Sequence, residues 1–288
     1  MGGNPLMSLT QHNASRYTPW LTEVSGLRCP SDPMTGLPAG GRTNYVACTG
    51  DTAYINNLGA AQETGLSFVS ATTDLQPLSQ DSCRGVFTGR RKMSFRNVLD
   101  GTANTICADE IPTDNGDMDK RTHGKGDGLG TSGLGTGSHI RLANGALNCA
   151  GFVDPLRPQF WGAGLGANVG TAEQRRGFQW AAGRPLYGQC NTILPPNREI
   201  CIDRGSGGVL NNHGNAGIVP PGSRHQGGCH VLMTDGAVKF ITDSIEAGST
   251  SIAQSYTGSA TQPGSKSPFG LWGALGTRAS SETIDKEF

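Results

Sequence analysis

Two short apolar runs, residues 229–234 and 237–242, stand on either side of Asp235-Gly236. An Asp-Gly pair between such runs is the strongest short-range signal for a β-hairpin, and it predicts a tight type I′ turn with both central residues at positive φ. Asp243-Ser244-Ile245-Glu246 then has the spacing of a capping box and predicts a helix start. Elsewhere helices have little to build on. Glycine, at 44 of 288 residues, costs roughly 1 kcal/mol relative to alanine in a helix interior. The chain is therefore expected to fold as short strands joined by long loops.

At this length the chain can bury a real core, as one large domain or two small ones. Lys plus Arg and Asp plus Glu number 23 each, so no global field draws it to nucleic acid or to an anionic membrane. Arg90-Arg91-Lys92 and Arg175-Arg176 read as solvated faces. No window approaches the roughly 18 apolar residues of a membrane span, and there is no signal-peptide core. Eight cysteines stand at 29, 48, 83, 107, 149, 190, 201 and 229. No two are separated by only two residues, which excludes a zinc knuckle or a thioredoxin-like pair. Scattered, even-numbered cysteines favour disulfides in an oxidising compartment. Connectivity stays open; Cys190/Cys201 and Cys29/Cys48 are the shortest loops to close.

Along the chain, residues 1–26 form a polar lead-in and 27–288 a single globular unit. Strand-like runs fall at 43–48, 85–87 and 105–108, with one helical turn at 95–99. Residues 114–138 carry eight glycines and almost no apolar side chains, so a long exposed loop is expected. Aromatics between 148 and 180 suggest strands with tight turns. Residues 181–222 are turn-rich, the hairpin and helix occupy 223–247, and 249–288 read as an irregular tail interrupted by Phe269-Gly270-Leu271-Trp272.

His225 and Asp235 invite a catalytic or metal reading, with His213 as a third member and Glu110 as a lone carboxylate. Ten residues of extended chain span roughly 33 Å, so only a bend at Gly227-Gly228 could bring His225 towards Asp235. A hairpin and a kink explain most of that motif. His230 is placed by alternation on the face opposite Cys229 and Val231. Asp114, Asn115, Asp117 and Asp119 crowd hard oxygens onto a loop and suggest calcium, although EF-hand spacing is not met. Trp161 and Trp180 could stack on sugars, and with Trp272 they are also natural core residues. Nucleophile-elbow, His-Glu-X-X-His and phosphate-loop motifs are absent.

Several segments follow one another along the chain: Leu27-Arg28-Cys29-Pro30-Ser31-Asp32-Pro33, Asn44-Tyr45-Val46-Ala47, Gly85-Val86-Phe87, Asp100-Gly101-Thr102-Ala103-Asn104-Thr105 with Glu110, Asn191-Thr192-Ile193-Leu194-Pro195-Pro196, and His225 with nine residues between it and Asp235-Gly236. With Leu271-Trp272-Gly273 near the end, this combination resembles the DUF1559 proteins, found mainly in Planctomycetes. The resemblance implies an α+β, pilin-like fold with a mainly antiparallel sheet. It also implies an N-terminal anchor helix processed by prepilin peptidase, which the sequence here lacks; a soluble fragment is the expectation and an anchorless paralogue the alternative. The implied role is extracytoplasmic and structural, in a pilus- or type II secretion-like assembly with other pilin-like subunits. Two alternatives stand beside it: a polysaccharide-binding module using Trp161 and Trp180, and a metal-assisted hydrolase using His213, His225 and Asp235.

Overall fold

A computed structural model of the chain describes residues 18–58, 61–64, 67–70, 75–126, 139–163, 172–203, 215–284 and 288. Among them the strands are β1 (Tyr45–Cys48), β2 (Ala61–Thr64), β3 (Ser67–Ser70), β4 (Ile106–Glu110), β5 (Lys125–Gly126), β6 (Gln189–Cys190), β7 (Cys201–Ile202), β8 (Gly217–Ile218), β9 (Gly228–Met233) and β10 (Val238–Thr242). The helices are α1 (Leu75–Ser82), α2 (Pro185–Gly188) and α3 (Gly270–Gly276), with several single 3-10 turns. Five strands make the main sheet in the order β10-β9-β4-β1-β6. Its pairs are antiparallel except β1 with β6. Smaller sheets join β2 to β3 and β5 to β7 and β8. The fold is α+β, with short elements and long connections.

The hairpin forms where the sequence places it, but its turn is of another type. Only Gly236 of the Asp235-Gly236 pair has positive φ, at 94°. Gly236 N donates to Met233 O at 3.0 Å and Met233 N to Ala237 O at 2.8 Å. This is a type I turn closed by a left-handed glycine bulge, the usual three-residue hairpin. Asp235 Oδ1 accepts from Ala237 N at 2.9 Å and needs no left-handed backbone itself. The predicted helix at 243–247 does not form. The Glu246 carboxylate instead turns outward to receive Leu271 N at 2.7 Å and Gly248 N at 2.6 Å, so it caps α3, far along the chain.

Period-two alternation gives the main sheet two unlike faces. Val46 and Cys48 of β1, Cys229, Val231 and Met233 of β9, and Ile241 of β10 face the core. Trp272 and Leu275 of α3 close over them, both fully buried. Trp272 Nε1 donates to Leu194 O at 2.8 Å. The irregular tail expected after residue 249 is thus part of the principal core. A second cluster lies around Phe269, Ile140, Trp161 and the Cys149–Cys201 disulfide, and a third around Phe178, Leu186, Tyr187 and Ile202.

Four other expectations are corrected. Residues 114–126 are not an exposed loop: Asp114, Asp119, Thr122, His123 and Lys125 are all buried, and β5 joins a sheet. Residues 127–138 lie outside the described residues. Among the described residues, the aromatic stretch from 148 forms 3-10 turns and single bridges, not strands, because Phe152 and Trp161 pack inward from loops. Arg176 is not on a solvated face; it is fully buried and donates to Pro185 O and Leu186 O. The 85–87 run is a bend, fixed by the close approach of Gly85 to Gly50, where a Cβ on Gly85 would collide with Thr49 and Gly50 backbone. The single turn predicted near 95–99 is present as a 3-10 turn at Phe95–Asn97, with Ser94 and Asn97 capping each other.

Trp272→Ala should therefore cost about 3–5 kcal/mol of unfolding free energy, the usual penalty for emptying a large aromatic site. Denaturant titration reads this as a lowered midpoint. An irregular, weakly packed tail would give a change within about 0.5 kcal/mol.

Candidate functional site

The alternation of β4 sends two adjacent carboxylates to opposite sides of the main sheet. Asp109 faces the core and Glu110 the open face, yet both are nearly inaccessible. Each becomes the centre of a polar cluster.

On the open side, Glu110 Oε1 lies 3.1 Å from His225 Nε2, and Oε2 lies 3.1 Å from His230 Nδ1. His230 N also donates to Oε2 at 3.1 Å. His225 Nε2 stands 3.7 Å from Cys29 Sγ. The two imidazoles meet edge to face at 5.0 Å, and His230 meets Phe240 in the same way at 5.1 Å. The histidine side chains retain 32% and 44% exposure while Glu110 keeps 4%, so the cluster has a buried acidic floor and an open imidazole rim. His225 also lines a groove of about 570 Å³ with Lys120, Arg121, Gln159, Arg224 and Asp243.

Separate parts of the chain hold this arrangement. Cys29 N donates to Asn44 Oδ1 at 3.0 Å, and Asn44 Nδ2 donates to Asp32 Oδ2 at 2.7 Å and to Ile111 O at 2.9 Å. Asp32 also receives Thr113 N and Oγ1 at 2.7 and 2.9 Å. One buried carboxylate thus ties the Cys-Pro-Ser-Asp-Pro turn to the start of β1 and the end of β4. On the other flank, Ser223 Oγ receives His225 N at 3.0 Å and donates to Gly228 O at 2.7 Å. Gly222 N donates to Glu110 O at 2.9 Å. Gly228 leaves no room for a Cβ beside Ile241 O, so the bend that presents His225 requires glycine there.

Burial pushes the Cys29 thiol above its usual range, and Glu110 adds to the effect. Tyr45, directly across from Glu110 in the β1–β4 register, is raised by burial and then by Cys29 and Glu110. A thiol–imidazole–carboxylate relay would place the thiol and the acid on different ring nitrogens. Here both face Nε2, so these atoms do not form a nucleophile relay. What they do form is a convergence of three possible metal ligands, Cys29, Glu110 and His225, whose donor atoms lie within 4.8 Å of one another.

On the core side, Cys48 and Cys190 are register partners across β1 and β6, and Asp109 lies between them, accepting from Cys190 Sγ. All three are buried. Desolvation pushes Asp109 up to about 7, against the pull of Cys190, Arg176 and Cys48. It likewise raises Cys190 and Cys229 well above the thiol range. The same burial lowers Arg176 to about 10.

The other predicted site residues are dispersed. Asp235 sits at the exposed turn of β9 and β10 while His225 precedes β9, so six strand residues, roughly 20 Å, separate their ends. His213 lies outside the described residues. The proposed calcium oxygens already have partners: Asp119 binds Arg121 at 2.6 Å and also meets Arg224 and Gln159, and Asp114 accepts Thr122 Oγ1 and Gly116 N. Asp117 accepts Asp119 N, and Asn115 is half-buried at the edge. They are structural and do not converge on one ion. Trp161 is 3% exposed and donates to His123 O, so it offers no face to a sugar. Trp180 packs against Trp20 at 5.6 Å and donates to Thr22 O, fastening the lead-in. A disulfide forms as expected, but it joins Cys149 to Cys201 and neither of the short loops closes; Cys29, Cys48, Cys83, Cys107, Cys190 and Cys229 are free. The sequence marks Cys29 only as a disulfide candidate and does not single out Asp109. Adjacent acids on a short strand were the available signal, since alternation sends them to opposite faces.

A family model described as "Protein of unknown function (DUF1559)" matches residues 4–248. No curated protein and no solved structure matches the chain.

Asp109 gives the inner cluster a pH signature. Its folded pKa is raised to about 7 from a carboxylate value of 3.8, so the native state holds this proton where the unfolded chain has lost it. The contribution of Asp109 to stability is therefore full below about pH 4, falls as pH rises towards 7 and stays low above that. At about 1.4 kcal/mol per pKa unit, the effect amounts to a few kcal/mol. Asp109→Asn keeps the shape and removes the titration. Thermal unfolding from pH 4 to 8 should show a decline in the parent protein that is at least halved in the variant; parallel curves would refute this assignment.

Proposed function

This chain belongs to the DUF1559 family, proteins of unknown function, and from that membership we propose that it is an extracytoplasmic, pseudopilin-like subunit of a surface or secretion assembly. The observation that carries the proposal is the outer side of the β9–β10 hairpin, left uncovered among the described residues. β10 is an edge of the main sheet. On the open face, Val238 is 65% exposed, Phe240 42% and Leu232 38%, with Tyr45 of β1 at 42%. Edge strands are normally guarded by charge or irregularity. Lys239, the one lysine on β10, is drawn to the Phe288 ring at 3.8 Å.

An antiparallel edge is self-complementary: two copies related by a two-fold axis can pair β10 with β10 and join their apolar faces. Equal numbers of acidic and basic residues impose no net repulsion on such pairing. The Cys149–Cys201 disulfide favours an oxidising compartment. The polysaccharide alternative has lost Trp161 to the core, and the hydrolase built on His213, His225 and Asp235 has lost Asp235 to a distant turn. Among the described residues no helix is long and apolar enough to cross a membrane, so anchorage in this proposal comes from outside them.

Sedimentation velocity over a concentration series tests the assembly surface. The parent protein should self-associate, and Val238→Lys with Phe240→Lys should shift it to monomer without altering far-UV circular dichroism. A parent that stays monomeric at its highest soluble concentration, or a double variant that associates equally well, would overturn the proposal.

A further inference from the structure

We propose that Cys29, Glu110 and His225 form a zinc site, on the same open face of the sheet as the assembly surface, with an open coordination position facing the groove beside His225. Tetrahedral zinc with bonds of about 2.0–2.3 Å places a sulfur and a nitrogen ligand about 3.6 Å apart, and nitrogen and oxygen ligands about 3.4 Å apart. The corresponding distances are 3.7 Å for Cys29 Sγ to His225 Nε2 and 3.1 Å for His225 Nε2 to Glu110 Oε1. Two of the three donor separations thus suit one small cation, and all three donor atoms lie within 4.8 Å of one another. Thiolate, imidazole and carboxylate together select a borderline metal of the zinc type over calcium or magnesium, which prefer all-oxygen cages.

The surroundings match the needs of such a site. Glu110 is oriented by His230 through both ring nitrogen and backbone N–H, as outer partners orient metal-binding carboxylates. Cys29 is fixed through its own N–H by Asn44, and His225 through its N–H by Ser223. Three protein ligands leave a fourth position, the pattern of catalytic rather than closed structural zinc. His225 is a shared wall of the cluster and the groove, which supplies an entry path. Binding would displace the Cys29 thiol proton to solvent as the thiolate–metal bond forms. The inner trio of Cys48, Asp109 and Cys190 is a weaker candidate. It is buried on every member, and Arg176 already brings positive charge to it.

Tag-free protein, stripped with a chelator, reloaded with zinc and dialysed, should hold about one zinc per chain by elemental analysis. Cobalt(II) in place of zinc should give a thiolate-to-metal charge-transfer band. Cys29→Ser should remove that band, His225→Ala should weaken zinc binding more than about tenfold, and His230→Ala should weaken it within a range of about 10- to 100-fold. Cys48→Ser should retain both band and zinc. The proposal fails if the stripped parent takes up no zinc, if the band survives Cys29→Ser, or if it disappears in Cys48→Ser instead. Should Cys29→Ser not fold, His225→Ala decides alone, since its side chain sits on a part-exposed loop; unchanged zinc affinity there overturns the site.

Discussion

Short strands leave much buried backbone without a ladder partner, and the rest of this structure follows from how that deficit is met. A buried N–H or C=O left unpaired costs about as much as a lost hydrogen bond. Here buried polar side chains take the place that long strands would hold. Asn56 binds Gly217 through both its amide atoms. Asn191 does the same between Gly217 O and Val219 N. Gln254 joins Ala53 N to Ile140 O, far apart in the chain. Asp32 gathers Asn44 and Thr113. Each link fixes a loop as firmly as a strand pair would, and each is a side chain whose loss strands a backbone group.

That device explains the position of the candidate site. Functional groups on long loops are usually mobile, yet Cys29 and His225 both lie on loops and meet within 3.7 Å. They do so because Asn44 and Asp32 hold one loop and Ser223 the other, both against β4. The sheet contributes a single side chain, Glu110, but its register sets where the loops can dock. Glu110 pairs with Tyr45 on one side and receives His230 from the neighbouring strand on the other. The adjacent Asp109 pays for its opposite orientation with a raised pKa and a buried arginine.

What could be read in the sequence was local. The hairpin strands, the Phe95–Asn97 turn and β4 were visible because apolar alternation and turn residues act over a few positions. The family was visible because its segments keep their order. The turn type was missed because Asp-Gly serves both a type I′ turn and a type I turn with a glycine bulge, and only φ at Asp235 separates them. No helix starts at 243 because a carboxylate at the right spacing can as well cap a distant helix, and Glu246 caps α3.

The site itself depended on distances no spacing rule reports. Cys29 and His225 are 196 residues apart, and Glu110 lies between them in sequence with an exposed-looking acidic loop after it. The loop misled for the same reason the site was hidden. Asp114 and Asp119 look like solvated or calcium-binding carboxylates until Arg175 and Arg224 are brought to them from elsewhere and Arg121 folds back on Asp119 from two residues on. A buried carboxylate is tolerable only with such partners. In a chain this rich in glycine and poor in long strands, acidic residues near short apolar runs are therefore better read as candidates for interior ties than as surface. Glu110 follows the same logic with one difference: its partners are imidazoles and a thiol, groups that can offer a metal a nitrogen lone pair or, once the proton has gone to solvent, a thiolate, where guanidinium cannot.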